Sequence, residues 1–193
     1  MRDVGDMRKS FDLYFASSNK NKYSEAREIL SKFNLSLGFF EFAPVEIQSH
    51  SVLEIAAQKS LDAYVSCKKP VIVEDDGLFI QSLGGFPGPY SSYVFKTIGN
   101  AGILRLVKSK RQAEFHSVIS YCDGKKPVLF QGITKGVISK KQRGKGWGYD
   151  PIFIPRGKSK TYAELDDKNT ISHRYKALGK FARWFDMRKS SGR

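Results

Sequence analysis

The feature that most constrains the fold is a near-continuous apolar segment in KKPVIVE, residues 68 to 74. Such a segment is typical of a strand buried on both faces, in the middle of a parallel or mixed sheet. Before it come a strand pattern at residues 11 to 16, a helical pattern at residues 22 to 33, a strand region at residues 33 to 44 and a helical pattern at residues 51 to 66. This alternation of strand and helix predicts an α/β protein.

The second half of the chain extends the same sheet. Residues 113 to 122 and 128 to 139 show strand patterns, and the DGKKP between them predicts a hairpin. Asn100 can cap a helix over residues 101 to 109, and residues 173 to 186 carry a helical pattern. We therefore expect a central mixed, twisted sheet flanked by helices.

The length and composition favour one domain. A chain of 193 residues can bury a substantial core. We expect a loose leader at residues 1 to 10, one α/β domain at residues 11 to 187 and a basic tail at residues 188 to 193. Cys67 and Cys122 lack the spacing of a metal site, which favours a reducing, cytoplasmic environment. No apolar run approaches the roughly 18 residues of a membrane span, so we expect no membrane association.

The net charge gives the first indication of function. The sequence contains 33 Lys and Arg against 19 Asp and Glu, a formal charge of +14. This excess predicts attraction to a polyanion such as nucleic acid, an anionic membrane or a phosphorylated small molecule. Basic clusters at residues 108 to 111 and 139 to 146 are equally typical of a solvated surface, so charge alone does not choose among these classes.

Three consecutive acids contrast with that positive charge. Glu74, Asp75 and Asp76 follow the apolar segment directly and are followed by Gly77. Adjacent carboxylates at the edge of a core repel one another and are costly to desolvate, so they need cations, hydrogen bonds or a functional reason.

The SSNKNK loop between the first strand and the first helix has the composition of a phosphate site. Ser17, Asn19 and Lys22 supply hydroxyl, amide and ammonium groups next to the N–H groups of a helix start. The loop lacks the spacing of a Walker motif. An ordinary turn in which Ser17 or Asn19 caps the helix explains the same residues.

The carboxyl-terminal third contains two further candidate segments. In GWGYDPIFIP, Trp147 and Tyr149 could stack a nucleobase, although the same aromatic residues could simply close the edge of the core. In ISHRYKAL, Ser172 is a good helix cap, but His173 and Arg174 then place cations where the helix dipole disfavours them. An anion or a base carbonyl bound there would explain that placement.

In their order along the chain, these segments resemble the inosine triphosphate pyrophosphatase family, which hydrolyses non-standard purine nucleoside triphosphates such as ITP, dITP and XTP. The resemblance covers residues 11 to 186. The matching elements are Ser17, Asn19 and Lys22; Glu46; Glu54 and Lys59; EDDGLFIQSLGGFPGPYS; GWGYDPIF; TYAE; and Ser172 to Arg174.

The resemblance implies two lobes with a nucleotide cleft between them, a homodimer, and Mg²⁺-dependent cleavage between the α and β phosphates. It implies phosphate binding by Ser17, Asn19, Lys22 and Lys59. It implies a metal site at Glu46, Glu74 and Asp75, with Asp75 also the general base. It implies base binding by Trp147, Tyr149, Asp150, Lys168, Ser172, His173 and Arg174.

Two departures from the family pattern stand out. Asp76 occupies a position that is usually Ser or Thr, and its role is open. Ser91 to Tyr93 replace the usual Ser-Ala-Arg. Two other functions remain as alternatives: a basic nucleic-acid-binding module, and a nucleotide pyrophosphatase of different base specificity. If the chain is a pyrophosphatase, as the resemblance implies, no specific nucleic acid partner is expected.

Overall fold

The computed structural model describes residues 11 to 191, with side chains up to residue 190. The predicted leader at residues 1 to 10 lies outside the described residues. In chain order the strands and α-helices are β1 (Leu13–Ser17), α1 (Lys20–Ser31), β2 (Leu37–Glu41), α2 (Val52–Cys67), β3 (Val71–Ile80), β4 (Pro87–Gly88), α3 (Ser91–Thr97), α4 (Gly99–Leu106), β5 (Gln112–Cys122), β6 (Val128–Ile138), β7 (Phe153–Pro155), α5 (Lys168–Ile171) and α6 (His173–Ser191).

One mixed sheet contains all seven strands. Its order is β2-β1-β3-β5-β6-β7, with the short β4 paired to β3. β1 is parallel to both β2 and β3, because α1 and α2 carry the chain back between these strands. β5, β6 and β7 continue the sheet in antiparallel pairs. The predicted central mixed sheet flanked by helices is confirmed.

β3 is buried as its composition predicts, and it is longer than expected. The side chains of residues 71 to 73 are fully buried. The strand does not end before the acids: it runs through Glu74, Asp75 and Asp76 to Ile80. Gly77 therefore lies inside β3. It allows a close approach of β4, because a Cβ at this position would lie 2.5 Å from the carbonyl oxygen of Gly88.

Two hydrophobic clusters form the two lobes. The first lies where α1 and α6 pack on β1, and it includes Phe15, Leu30 and Phe181. The second lies under α3, α4 and β7, and it includes Leu78 and Phe153. The middle of β3 passes between the two clusters, which places its acids between the lobes.

Two predicted helix boundaries require correction. Asn100 does not cap α4: it lies inside the helix, and its side-chain amide donates to the carbonyl of Gly148 at 3.0 Å. α6 continues through residues 188 to 191 of the predicted tail. Arg188 there forms an ion pair with Asp123, which ties the end of α6 to the turn after β5.

Two further observations concern the environment of the protein. Cys67 and Cys122 are both free thiols. Of the helices formed by residues 11 to 191, none combines the length and the apolar character needed to cross a bilayer.

The packing of α6 on β6 depends on Gly132. A Cβ at this position would collide with the carbonyl oxygen of His173 and lie 2.5 Å from the backbone nitrogen of Ala177. We expect Gly132→Ala to lower the free energy of unfolding by about 3 kcal/mol and Tm by roughly 10 °C. The matched control is Gly179→Ala on α6, where the new methyl group would meet atoms no closer than 3.6 Å. Gly179→Ala should stabilise by about 0.5 to 1 kcal/mol, because alanine favours the helix. Thermal denaturation measures both, and a Gly132→Ala variant as stable as the parent would contradict the packing argument.

Candidate active site

The site forms where β3 lacks a strand partner along one edge. β1 pairs with β3 only up to Phe15 and Ile72, and β4 pairs with it only from Leu78. Between these pairs the edge of β3 borders a cavity of about 690 Å³. All of the site residues predicted from the sequence line this cavity, with the exception of Ser172.

The pleat of β3 separates the three acids. Successive side chains of a strand point to opposite faces, so Glu74 and Asp76 share one face and Asp75 lies on the other. Glu74 and Asp76 both contact Arg174, whereas Asp75 contacts Lys59. Each acid therefore has a cation, which explains how three adjacent carboxylates can be accommodated in a buried strand.

Arg174 is almost fully buried, with 1% of its surface exposed. Its Nε donates to Glu74 at 2.7 Å, its Nη2 donates to Asp76 at 3.0 Å, and its Nη1 donates to Glu25. Burial lowers the pKa of Arg174, but the three carboxylates outweigh this effect and raise it. Because these acids neutralise it, a cation is tolerated at the amino-terminal end of α6.

Lys59 connects two carboxylates on the other side of β3. Its ammonium group lies 2.8 Å from Asp75 and 2.6 Å from Glu46. Burial raises the pKa of Asp75 above its usual range, and the nearby Lys59 opposes that rise. Glu46 is exposed at the opening, whereas Asp75 is buried. Asp75 is thus a carboxylate of raised basicity at the floor of the cavity.

Asp76 bridges the two halves of the site. One of its oxygens lies 3.1 Å from the ammonium group of Lys22, and the other accepts from Arg174. Burial raises the pKa of Asp76, but Lys22 and Arg174 outweigh burial and lower it to about 2. The acid that replaces a hydroxyl residue of the family is therefore ionised and neutralises Lys22.

The predicted phosphate loop is also a helix cap. Asn19 accepts hydrogen bonds from the backbone N–H groups of Asn21 at 2.9 Å and Lys22 at 3.2 Å. Ser17 accepts from the N–H of Asn19 at 3.0 Å. The capping alternative is therefore confirmed, and the same residues line the cavity beside the start of α1. Their role in phosphate binding stays a prediction.

The opposite wall contains Trp147 with two cations close to its ring. Lys168 and Arg174 each lie 5.2 Å from the ring centroid. Lys168 also donates to Asp150 at 2.6 Å, and burial raises the pKa of that carboxyl group despite the ammonium. Asp150 therefore orients Lys168.

Glu25 is the main residue of the site that sequence reasoning missed. It accepts from Trp147 at 2.8 Å and from Lys168 at 2.7 Å, and it also contacts Arg174. Burial raises the pKa of Glu25, but Arg174 and Lys168 outweigh it and lower the value. Helical spacing could have indicated Glu25, because it follows Lys22 by three positions on α1 and so lies on the same face of the helix.

Three residues predicted to bind the base make contacts that stabilise the fold around the site. Ser172 is fully buried and accepts from the N–H of Tyr175 at 3.1 Å, so it caps α6 and does not form the cavity wall. The hydroxyl of Tyr149 donates to the carbonyl of Ser91 at 2.9 Å. The ring of His173 stacks on Phe115 with centroids 4.3 Å apart, and burial lowers the pKa of His173 well below its usual value. His173 is therefore neutral, and it is Arg174 that carries the charge.

The donor set fits a magnesium ion only in part. No group of three or more His, Cys, Asp or Glu side chains within residues 11 to 190 has the arrangement of a metal site. Mg²⁺ commonly uses one or two carboxylates together with water and substrate phosphates, and Glu46 and Asp75 converge on one cation in this way. Glu74 does not fit: its two oxygens accept from Ser117 and Arg174, and its side chain has no exposed surface.

Comparisons with known proteins find relatives over most of the chain. The chain is 50% identical over 177 residues to a dITP/XTP pyrophosphatase of Methanopyrus kandleri. The matched region covers 89% of this chain and 94% of the relative. The chain is 45% identical over 177 residues to a dITP/XTP pyrophosphatase of Hyperthermus butylicus, covering 89% and 93%. The solved structure of a HAM1 protein from Coxiella burnetii superposes with a TM-score of 0.77 at 31% identity, covering 91% of this chain and 98% of that one.

The family model described as the Ham1 family matches residues 13 to 184. This match spans both lobes and every element that lines the cavity. The family resemblance inferred from the motifs is confirmed, and the chain belongs to the Ham1 family.

Proposed function

We propose that this protein hydrolyses non-standard purine nucleoside triphosphates, dITP, XTP and ITP, to the monophosphate and pyrophosphate, and so removes them from the nucleotide pool. Relatives named dITP/XTP pyrophosphatases at 40 to 50% identity support this substrate class. The observation that carries the proposal is the position of Asp75. This buried carboxylate lies in one cavity with the helix start and lysines suited to phosphates and with Trp147 suited to a base.

The reaction consists of the attack of a water oxygen on the α phosphorus and the breaking of its bond to the oxygen that bridges to the β phosphorus. Asp75 accepts a proton from the attacking water, and its raised pKa makes it a stronger base than an exposed aspartate. Lys22, Lys59 and the N–H groups at the start of α1 bind the phosphates. Pyrophosphate leaves with the electrons of the broken bond.

A divalent cation belongs to the same proposal. Glu46 and Asp75 would hold Mg²⁺ together with the phosphates, and the ion would neutralise charge that develops on the oxygens. Lys59 now occupies the space between these carboxylates. These two carboxylates would be free to hold the ion once Lys59 pairs with a substrate phosphate.

Base selection is assigned to Lys168 and Arg174. Hypoxanthine and xanthine carry a carbonyl at position six, where adenine carries an amino group. A donor directed at that carbonyl would be left facing another donor if adenine entered, and such an unpaired buried donor costs about 1 to 3 kcal/mol. The cations beside Trp147 would place this donor in the plane of a base that stacks on the indole ring.

The cytoplasmic location and the homodimer implied by the resemblance are also part of the proposal. Two free cysteines suit a reducing compartment. A basic nucleic-acid-binding module without enzymatic activity is the less favoured function, because it leaves the paired acids of β3 without a role.

One assay tests the proposed function. Pyrophosphate release is measured from ITP, XTP, dITP, GTP and ATP, with Mg²⁺ and with EDTA. We expect turnover of the first three to exceed that of GTP and ATP and to require Mg²⁺. Turnover of ATP equal to that of ITP would indicate a different base specificity, and the absence of turnover with every nucleotide would contradict the function.

Asp75→Asn tests the general base. We expect kcat to fall about 1000-fold, because an amide cannot accept the proton, while the Kd for ITP stays within about threefold. The matched control is Asp186→Asn, an exposed aspartate on α6, which should leave both quantities unchanged. Near-parental turnover of Asp75→Asn would refute the assignment.

Arg174→Ala tests the base pocket. We expect the ratio of kcat/KM for ITP to that for ATP to fall at least tenfold. The variant should also lose about 3 to 5 kcal/mol of stability, because buried carboxylates lose their partner. The ratio is therefore measured at a temperature at which circular dichroism shows a folded protein, with Arg183→Ala, an exposed residue on the same helix, as control. An unchanged ratio would exclude Arg174 from base selection.

Asp76→Asn tests the contact that neutralises Lys22. Removal of this charge frees the Lys22 ammonium and reduces repulsion of the triphosphate, so we expect the KM for ITP to fall about tenfold. If Asp76 instead helps to hold the metal, the variant needs more Mg²⁺ for half-maximal rate and its KM rises. Steady-state kinetics over a range of Mg²⁺ concentrations distinguish these results.

A further inference from the structure

A second cavity, of about 790 Å³, lies in the lobe that contains β7. It shares no lining residue with the candidate active site. The start of β5, the end of β6 and the segment after β7 surround it. Its cationic lining residues are Lys135, Arg156 and Lys158. The proposed nucleotide chemistry does not use this cavity.

The cations of this cavity are largely available for a ligand. The guanidinium group of Arg156 is exposed and has no hydrogen-bond or ion-pair partner within residues 11 to 190. Lys135 is also exposed and lies 3.6 Å from Glu114, whose carboxylate already contacts His116 at 2.9 Å. Lys158 pairs with Asp167 at the surface, where water and salt weaken the contact. The cavity therefore favours anions.

The remaining lining residues suit a nucleobase. The ring of Phe79 forms part of the wall and stacks on His116 with centroids 4.3 Å apart. Gln81 and Gln112 present exposed side-chain amides that have no partner in the described part of the chain. Proteins that bind single-stranded nucleic acid combine aromatic rings, on which bases stack, with a positively charged groove that follows the backbone.

Two basic loops extend this surface away from the cavity. Arg143 joins them: its Nη2 donates to the carbonyl of Ser159 at 2.7 Å, and its own carbonyl accepts from Thr161 at 3.0 Å. The exposed cations of the two loops, residues 139 to 146 and 156 to 160, are Lys140, Lys141, Lys145, Arg156, Lys158 and Lys160. We call the second cavity and these loops the basic groove.

The active-site cleft does not account for the charge of +14. Six cationic side chains and five carboxylates line the cleft, and a sixth carboxylate, Glu25, is bonded to two of those cations. The cleft is thus almost neutral, and the positive excess lies elsewhere on the protein. The basic groove is one place where it is concentrated.

We propose that the basic groove binds single-stranded nucleic acid, with phosphates on Lys135 and Arg156 and a base against Phe79. Four exposed lysines of the two loops lie outside the cavity lining, which suits a strand better than a single nucleotide. A membrane is the weaker fit, because none of the large apolar side chains exposed in the described chain lies in either loop.

The test is fluorescence anisotropy of the full-length protein with a labelled oligothymidine of about twelve nucleotides at low salt. The double variant Lys135→Gln/Arg156→Gln should weaken binding about tenfold. It should also lower the slope of log K against log salt by about 1.4, the value for two lost phosphate contacts on a single strand. The matched control Lys125→Gln/Lys126→Gln removes two exposed cations from the turn at the other end of β5 and β6 and should weaken binding less than twofold.

Several results would overturn the proposal. Equal losses in the two double variants would show attraction to net charge without a site. Competition by excess ITP would place the oligonucleotide in the catalytic cleft. If the parent binds phosphatidylglycerol vesicles but no oligonucleotide, the groove is a membrane surface. If sedimentation velocity shows that only the groove variant changes its oligomeric state, the groove is a contact between copies of the chain.

Discussion

The contact on which the rest of the site depends is that of the Arg174 guanidinium with three carboxylates. Glu25 lies on α1, Glu74 and Asp76 on β3, and Arg174 itself on α6, so one side chain joins three elements. Removal of one partner from a buried ion network leaves an uncompensated charge and costs about 3 to 5 kcal/mol, which is why such groups remain together. Arg174 thereby helps to fix the distance between the start of α1, the proposed phosphate site, and Trp147, the proposed base site.

The pleat of β3 explains how one short segment serves two purposes. Glu74 and Asp76 point toward Arg174, whereas Asp75 points toward Lys59 on α2. A helix or loop with three adjacent acids would not divide them between opposite faces in this way. The strand also holds Asp75 rigidly, because β5 pairs with β3 along its whole length. Such rigidity suits the proposed role of Asp75, because a general base must meet the attacking water at a fixed position.

The sequence was sufficient for the sheet, the order of its elements and the residues that meet in the cleft, because these depend on local patterns and on short motifs. Contacts across the chain were not accessible in this way. Glu25 looked like any exposed acid of a helix, since nothing local indicates that Trp147, Lys168 and Arg174 would reach it. β3 was predicted too short because three acids normally end a buried strand, and only the distant cations allow it to continue. Ser172 carried two possible roles, and the contact with Tyr175 selected the cap.

Burial divides the ion pairs of the cleft into fixed and exchangeable ones. The pair of Glu74 and Arg174 has almost no exposed surface on either side chain, so water or substrate cannot replace either partner. Lys22 with Asp76, and Lys59 with Asp75 and Glu46, keep between a tenth and more than half of their side-chain surface exposed. A triphosphate entering a nearly neutral cleft must find cations by displacing carboxylates, and only the exchangeable pairs can release them. In the proposed mechanism, the acids freed from Lys59 would then be the ones available to a divalent ion, and this would couple phosphate binding to metal binding.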